Sequence, residues 1–153
     1  MKPGLVVLLV AVVVAVAFGL HRRRTDGRFR GQSHDIGPQP LSPAAVLVES
    51  AGATLGERAT LLQFSSAFCA PCRATRVVLA DVAATVPGVV HVEIDAEEHL
   101  DDVRALAVLR TPTTLVLDAA GVEVTRASGA PTRAHVVSAL AAMSQYMDGE
   151  PTS

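Results

Sequence analysis

The chain has 153 residues, half of them hydrophobic and only 3% aromatic, with a formal net charge of −2. That length supports one ordinary domain and little else. Residues 1–30 carry six bases against the single acid Asp26, which leaves residues 31–153 with a net charge of −7. An acidic domain this poor in aromatic residues is a poor nucleic-acid binder, so no nucleic-acid partner is expected.

The first predicted element is an apolar helix. From Gly4 to Leu20 there is no charged or strongly polar side chain, only Val, Leu, Ala, one Phe and flanking Gly. A helix over these 17 residues is about 25 Å long at ~1.5 Å per residue, just enough to cross a hydrocarbon core of roughly 30 Å with modest thinning. The alternative is a cleaved signal peptide, for which Ala15-Val16-Ala17 has the form of a cleavage site. The apolar run is, however, longer than the ~7–15 residues of a signal h-region. A retained transmembrane anchor over residues 4–20 is the expectation. Arginines abutting such a span tend to stay cytoplasmic, and Arg22, Arg23 and Arg24 abut this one. They predict a single-pass membrane protein with its domain in the cytoplasm; an extracytoplasmic domain is the alternative.

Residues 21–43 read as a linker, basic at first and then rich in Gly and Pro (Gly37-Pro38, Pro40, Pro43). The domain follows over residues 44–147, with 148–153 as a flexible tail. Ser42 and Pro43 mark the start of a short helix over 43–52. Thr60 to Phe64 reads as a buried strand. A helix from Ala70 to Thr85 follows, with Ala74, Val78 and Val82 on its apolar face, ended by Pro87-Gly88. Val89 to Ile94 is a second strand. Asp95 and Glu98 suggest a capped helix start, with Leu100, Val103 and Ala107 facing inward. Thr113 to Leu117 is a third strand, and the turn Asp118 to Gly121 leads into a fourth, Val122 to Arg126. Thr132 caps a last helix carrying Val136, Leu140, Met143 and Met147 on one stripe. Strands separated by helices imply parallel pairing, and the late hairpin adds an antiparallel edge. The class is α/β, a central mixed four-stranded sheet flanked by helices.

The chemistry-bearing segment is Phe68-Cys69-Ala70-Pro71-Cys72-Arg73, where a strand hands over to a helix. Two cysteines three apart close a small disulfide ring with little rearrangement. Cys69 falls at the helix N-terminus, where the dipole and unsatisfied N–H groups stabilise a thiolate. It is the expected attacking sulfur, and Cys72 the resolving one. Pro71 near the helix start costs no hydrogen bond, and Arg73 adds positive charge nearby. Three plainer readings compete. Structural zinc needs four ligands, whereas the chain has two cysteines and its histidines (His21, His34, His91, His99, His135) show no ligand-like pairing. A purely structural disulfide closing so short a loop stabilises little. Two incidental buried thiols are the third. Glu97, Glu98, Asp101 and Asp102 read as the solvated face of a helix.

Phe64 to Cys72, then Val92-Glu93-Ile94-Asp95, then Arg110-Thr111-Pro112-Thr113, then Gly129 before the last helix, together resemble thioredoxin over about residues 44–146. The resemblance implies a thioredoxin-like fold and a redox-active Cys69–Cys72 pair, with no cofactor. It further implies that Thr111-Pro112 is a cis peptide bond facing the pair, and that the Thr111 backbone pairs with a substrate chain. Phe68, Ala70 and Pro71 would complete the substrate contact. Phe68 stands where the family has Trp and Ala70 where it has Gly. Gln63 falls where the family commonly keeps a buried acid near the inner cysteine. Gln cannot titrate, so Cys72 is expected to lose its proton more slowly or through water; the plainer reading of Gln63 is a hydrogen-bonded core amide. The expected activity is protein thiol–disulfide oxidoreduction, in the reductase direction, on protein disulfide substrates with a thiol-reducing electron donor. The alternative is a redox-inactive module that presents the Thr111-Pro112 groove to a protein partner.

Overall fold

The computed structural model describes residues 3–25, 27–31 and 42–148. Residues 32–41 of the expected linker and the tail from 149 onward lie outside the described residues. The elements run α1 (Pro3–Thr25), β1 (Phe29–Gly31), α2 (Pro43–Ser50), β2 (Ala59–Ser65), α3 (Ala70–Thr85), β3 (Val89–Asp95), α4 (Leu100–Ala105), β4 (Thr113–Asp118), β5 (Glu123–Ser128) and α5 (Arg133–Asp148). From α2 onward this is the predicted order.

The sheet order is β1-β5-β4-β2-β3. β2 is buried at every position, as its continuous apolar run requires of a central strand. It pairs parallel with β3, Leu61 opposite His91 and Gln63 opposite Glu93. On its other side it pairs antiparallel with β4, Gln63 opposite Thr114 and Phe64 opposite Thr113. The parallel expectation therefore holds for β2 and β3 alone, because β4 lies across β2 from β3 and runs the opposite way. β4 and β5 form the expected antiparallel hairpin, irregular between Val116 and Leu117.

Alternation along β2 sends Leu62 and Phe64 to one face and Ala59 and Leu61 to the other. Under the first face lie Ala44, Leu47 and Val48 of α2, with Leu106, Val108, Leu115 and Leu117. Against the second pack Leu79 and Val82 of α3 and Val136, Ala139, Leu140 and Met143 of α5. Burying a Leu or Phe of this kind contributes about 1.5–3 kcal/mol, so these two layers supply most of the driving force. α2 begins as read, with Ser42 as its cap accepting from Ala45 N–H at 3.1 Å and Pro43 in the first turn. Thr132 caps α5, its hydroxyl accepting from His135 N–H at 3.3 Å; the Met147 side chain lies outside the described residues.

Several expectations need correction. The buried stripe of α3 is Cys72, Thr75, Leu79 and Val82, and Ala74 is exposed. Successive i, i+4 steps drift around a helix of 3.6 residues per turn, and the mixed i+3, i+4 stripe is the one that stays on the sheet. α4 starts later than expected, because the Asp95 carboxylate accepts from Glu97 N–H at 2.8 Å and forms a turn instead of a helix cap. Leu100 and Ala107 are exposed; Leu106 and Val108 turn inward.

Residues 29–31 were expected in the linker but form a fifth strand, β1, antiparallel to β5 with Phe29 opposite Ala127. Phe29 packs on the α3–α5 layer. Gly27 donates to the Ser128 carbonyl at 2.9 Å. Its φ is +74°, and a Cβ there would lie 2.2 Å from the Ala130 carbonyl oxygen, so only glycine permits this approach.

α1 is a helix as expected, with Val and Leu side chains from Val6 to Leu20 exposed. Among the described residues no helix is long and apolar enough to cross a membrane. The expected anchor is thus present as an apolar helix and is not shown to be a span.

Candidate active site

The end of β2, the start of α3 and the start of β4 lie at one end of the central strands. β2 stops at Ser65, and four residues later Cys69 occupies the N-cap of α3 in extended conformation (φ −92°, ψ 96°). Its sulfur accepts from Cys72 N–H at 3.1 Å, where a hydroxyl or carboxylate oxygen ordinarily sits. Its carbonyl accepts from Cys72 N–H at 3.1 Å and from Arg73 N–H at 3.4 Å. Pro71 lies in the first turn, where its missing N–H removes a donor that would have no helical partner. A sulfur at this position receives a backbone N–H and the positive end of the helix dipole, both of which favour the thiolate.

Cys69 and Cys72 are joined in a disulfide, with Cα atoms 5.2 Å apart. Cys72 is 1% exposed, whereas Cys69 is half-buried and Ala70 and Pro71 are exposed. An incoming sulfur therefore meets Cys69 first. Phe68 stands beside it, 97% exposed. The Arg73 side chain is exposed one residue beyond Cys72.

Thr111-Pro112 is cis, as the resemblance implied. Pro112 is buried and Thr111 half-buried. The Ser66 and Thr111 hydroxyls lie 3.2 Å apart, which ties the loop before Cys69 to the residue before the proline. Gly129 N–H donates to the Pro112 carbonyl at 2.7 Å. Among the described residues the Thr111 backbone has no backbone partner.

Gln63 is fully buried beneath the first turn of α3. Its Nε2 donates to the Cys72 carbonyl at 3.0 Å and to the Ser65 hydroxyl at 2.7 Å. A carbonyl can only accept, which fixes the amide's orientation. Gln63 Oε1 then accepts from His91 Nε2 at 3.1 Å, so the neutral imidazole carries its proton on Nε2. Gln63 is thus a hydrogen-bonded core amide, and the titratable groups stand one strand away. Ser65 donates to Glu93 at 2.5 Å, and the Arg76 guanidinium pairs with both Glu93 oxygens. This cluster was missed from the sequence. Its signal was the polar alternation of His91 and Glu93 on a strand facing a helix.

Burial alone would raise the Glu93 pKa, but hydrogen bonds from Arg76 and Ser65 and the charges of Arg76 and His91 hold it below 4.5. The same ion pair raises Arg76. Burial pushes His91 below 6.5; Glu93 opposes that shift and Arg76 adds to it. Two further hydroxyls, Thr75 Oγ1 and Thr114 Oγ1, are buried and find no hydrogen-bond partner among the described residues. Among the described residues no group of three His, Cys, Asp or Glu side chains is arranged to hold a metal.

A family model for thioredoxin matches residues 51–142. Among solved structures, thioredoxin NaTrxh from Nicotiana alata is 22% identical with a TM-score of 0.54, covering 72% of this chain and 98% of its own. Fasciola hepatica thioredoxin is 21% identical with a TM-score of 0.52, covering 64% and 88%. At these identities the structures attest to the fold. No curated protein matches the sequence significantly.

The depressed His91 pKa has a stability consequence. An unfolded chain binds a proton at His91 more readily than the folded one, so stability falls as pH drops below 6.5 towards the folded pKa. Glu93, also depressed, adds stability above 4.5 that is lost as pH falls through its folded value. Denaturant unfolding of His91→Gln should show a flatter stability profile between about pH 7 and 5, with the steeper acid loss retained. An unaltered slope in that window would contradict the assignment.

Proposed function

The chain belongs to the thioredoxin family, and on that premise we propose that it is a protein thiol–disulfide oxidoreductase working as a disulfide reductase through Cys69 and Cys72. The observation that carries the reading is the asymmetry of the pair, a half-buried Cys69 at a helix N-cap and a buried Cys72 one turn inside. The thioredoxin domain with this pair supports thiol–disulfide exchange in general; the reductase direction is our proposal.

In the reduced protein the Cys69 thiolate attacks one sulfur of a substrate disulfide. That S–S bond breaks, one substrate thiolate leaves, and a mixed disulfide forms on Cys69. Cys72 then loses its proton and attacks the Cys69 sulfur, releasing the second substrate thiolate. The substrate gains two electrons and, at neutral pH, two protons, and the protein is left with the Cys69–Cys72 disulfide. A dithiol donor restores the reduced pair. The backbone of Thr111, which has no backbone partner among the described residues, would with Phe68, Ala70, Pro71 and Pro112 seat the extended substrate chain by strand addition. Gln63 places an amide that cannot titrate next to Cys72, and slower deprotonation of Cys72, or deprotonation through water, is the consequence we assign to this variant of the site.

With reduced full-length protein, Cys69→Ser should lower reduction of insulin disulfides on the order of 100-fold or more. Cys72→Ser should retain the first attack and accumulate a mixed disulfide with substrate. Equal turnover by Cys69→Ser and parent would instead favour a redox-inactive module presenting the Thr111-Pro112 groove.

We further propose that α1 anchors the protein in a membrane, crossing it with local thinning, with the arginines at 22–24 and the domain on the cytoplasmic side. The exposed apolar side chains from Val6 to Leu20 and the basic cluster behind them support this. The full chain should stay with the membrane pellet through an alkaline carbonate wash, and its cysteines should resist a membrane-impermeant thiol reagent in whole cells. Release into the wash contradicts the anchor, and labelling in intact cells contradicts the cytoplasmic side.

A further inference from the structure

The segment that delivers Thr111-Pro112 to the site runs from the end of α4 to the start of β4. Its conformation is unusual at Ala107, which has φ +50°, a left-handed backbone that costs a non-glycine residue on the order of 1 kcal/mol. Local bonds account for part of it. Val108 N–H donates to the Val103 carbonyl at 2.8 Å and Ala107 N–H to the Arg104 carbonyl at 3.1 Å, the paired bonds with which a helix closes on a left-handed residue. Val103 and Val108 also meet in the α2-side core.

The remaining bonds come from β5. Arg126 Nη1 donates to the Leu106 carbonyl at 2.9 Å and to the Ala107 carbonyl at 3.3 Å. The rest of its fork closes on both oxygens of Glu123. The pair is nearly enclosed, with side chains 17% and 12% exposed. A guanidinium this buried is costly unless every donor finds a partner, and only the planar fork satisfies a carboxylate and two carbonyls together. Its charge also sits at the negative end of α4.

The far end of the segment is held by the far end of the same strand. Arg110 Nη2 donates to the Ser128 carbonyl at 2.7 Å, and Gly129 N–H donates to the Pro112 carbonyl at 2.7 Å. Thr111, half-buried, stands between these two ties, and Leu109 just before them is 94% exposed. None of Arg126's hydrogen bonds goes to the cysteines or the residues around them.

We propose that Arg126 is a positioning residue for substrate binding: by holding the Leu106 and Ala107 carbonyls from β5, it sets where the Thr111 backbone is offered to a protein substrate. The inference rests on the oxidoreductase reading and adds to it a residue with no part in the sulfur chemistry. A protein disulfide that lays its chain along Thr111 needs this placement. A small aromatic disulfide that only meets the Cys69 sulfur does not.

The test uses the reduced full chain with two substrates, insulin across a concentration series with dithiothreitol as the recycling donor and the small disulfide 5,5′-dithiobis(2-nitrobenzoate) in a single turnover without it, with a thermal melt for each variant. In Arg126→Gln, KM for insulin should rise about fivefold or more while kcat stays near the parent's. The rate constant for the small disulfide should stay within about twofold. Arg126→Lys keeps the charge without the fork and should fall between the two. Should Arg126→Gln fail to fold, Arg126→Lys decides by the same readouts. An unchanged insulin KM overturns the proposal, as does an equal loss with both substrates. A parent that reduces the small disulfide but not insulin overturns it while leaving the cysteine chemistry standing; a parent that reduces neither overturns both.

Discussion

The hydrogen bond from Cys72 N–H to the Cys69 sulfur organises the rest of the site. It can exist only where a strand ends and a helix begins within a few residues, with the first cysteine still extended and the second already helical. β2 and α3 meet that condition because β2 is the buried centre of the sheet and its direction at Ser65 is fixed by partners on both sides. The cap is ordinarily worth about 1 kcal/mol to a helix. Here the same N–H and the helix dipole are aimed at a sulfur, so part of the helix's unsatisfied polarity is turned to thiolate chemistry. Cys69 is the more accessible of the two because it is the cap. Cys72 is buried because it is one turn in, on the stripe that faces the sheet.

That inward stripe carries a second constraint. Gln63, on the strand below, uses its amide to satisfy the Cys72 carbonyl and ties it to His91 and Ser65. Ser65 in turn meets Glu93, which is neutralised by Arg76 on the same helix. Charge is thus present near the inner cysteine, but paired and one strand removed. The floor of the site is well hydrogen-bonded, with the Gln63 amide set between the Cys72 carbonyl and the Glu93 carboxylate. On the other flank β5 and Gly129 just after it hold both ends of the loop that carries Thr111-Pro112, so the cysteine pair and the proline loop are supported by different elements, α3 with β2–β3 and β5 with β1.

Much of this was legible in the sequence because it depends on local signals. The α3 boundaries, the Ser42 and Thr132 caps and the central strand follow from caps, proline and apolar runs, each a matter of a few consecutive residues. The cis bond at Thr111-Pro112 came from family resemblance, since an X–Pro bond carries no local sign of its isomer. The misses have a common cause. β1 is three residues long and its place depends on β5, nearly 100 residues away. The antiparallel β4, the Arg126 clamp and the Glu93 cluster are likewise set by partners distant in the chain. Ala74 was misassigned because an i, i+4 row and the true buried stripe diverge by a fraction of a turn.

The central claim is that the fold makes Cys69, and not Cys72, the reactive sulfur. Reduced protein should be treated with limiting iodoacetamide at neutral pH and the modification at each cysteine followed by mass spectrometry. The account predicts that Cys69 is alkylated at least about tenfold faster than Cys72, since it is both more exposed and better placed as a thiolate. Equal rates, or prior modification of Cys72, would contradict it.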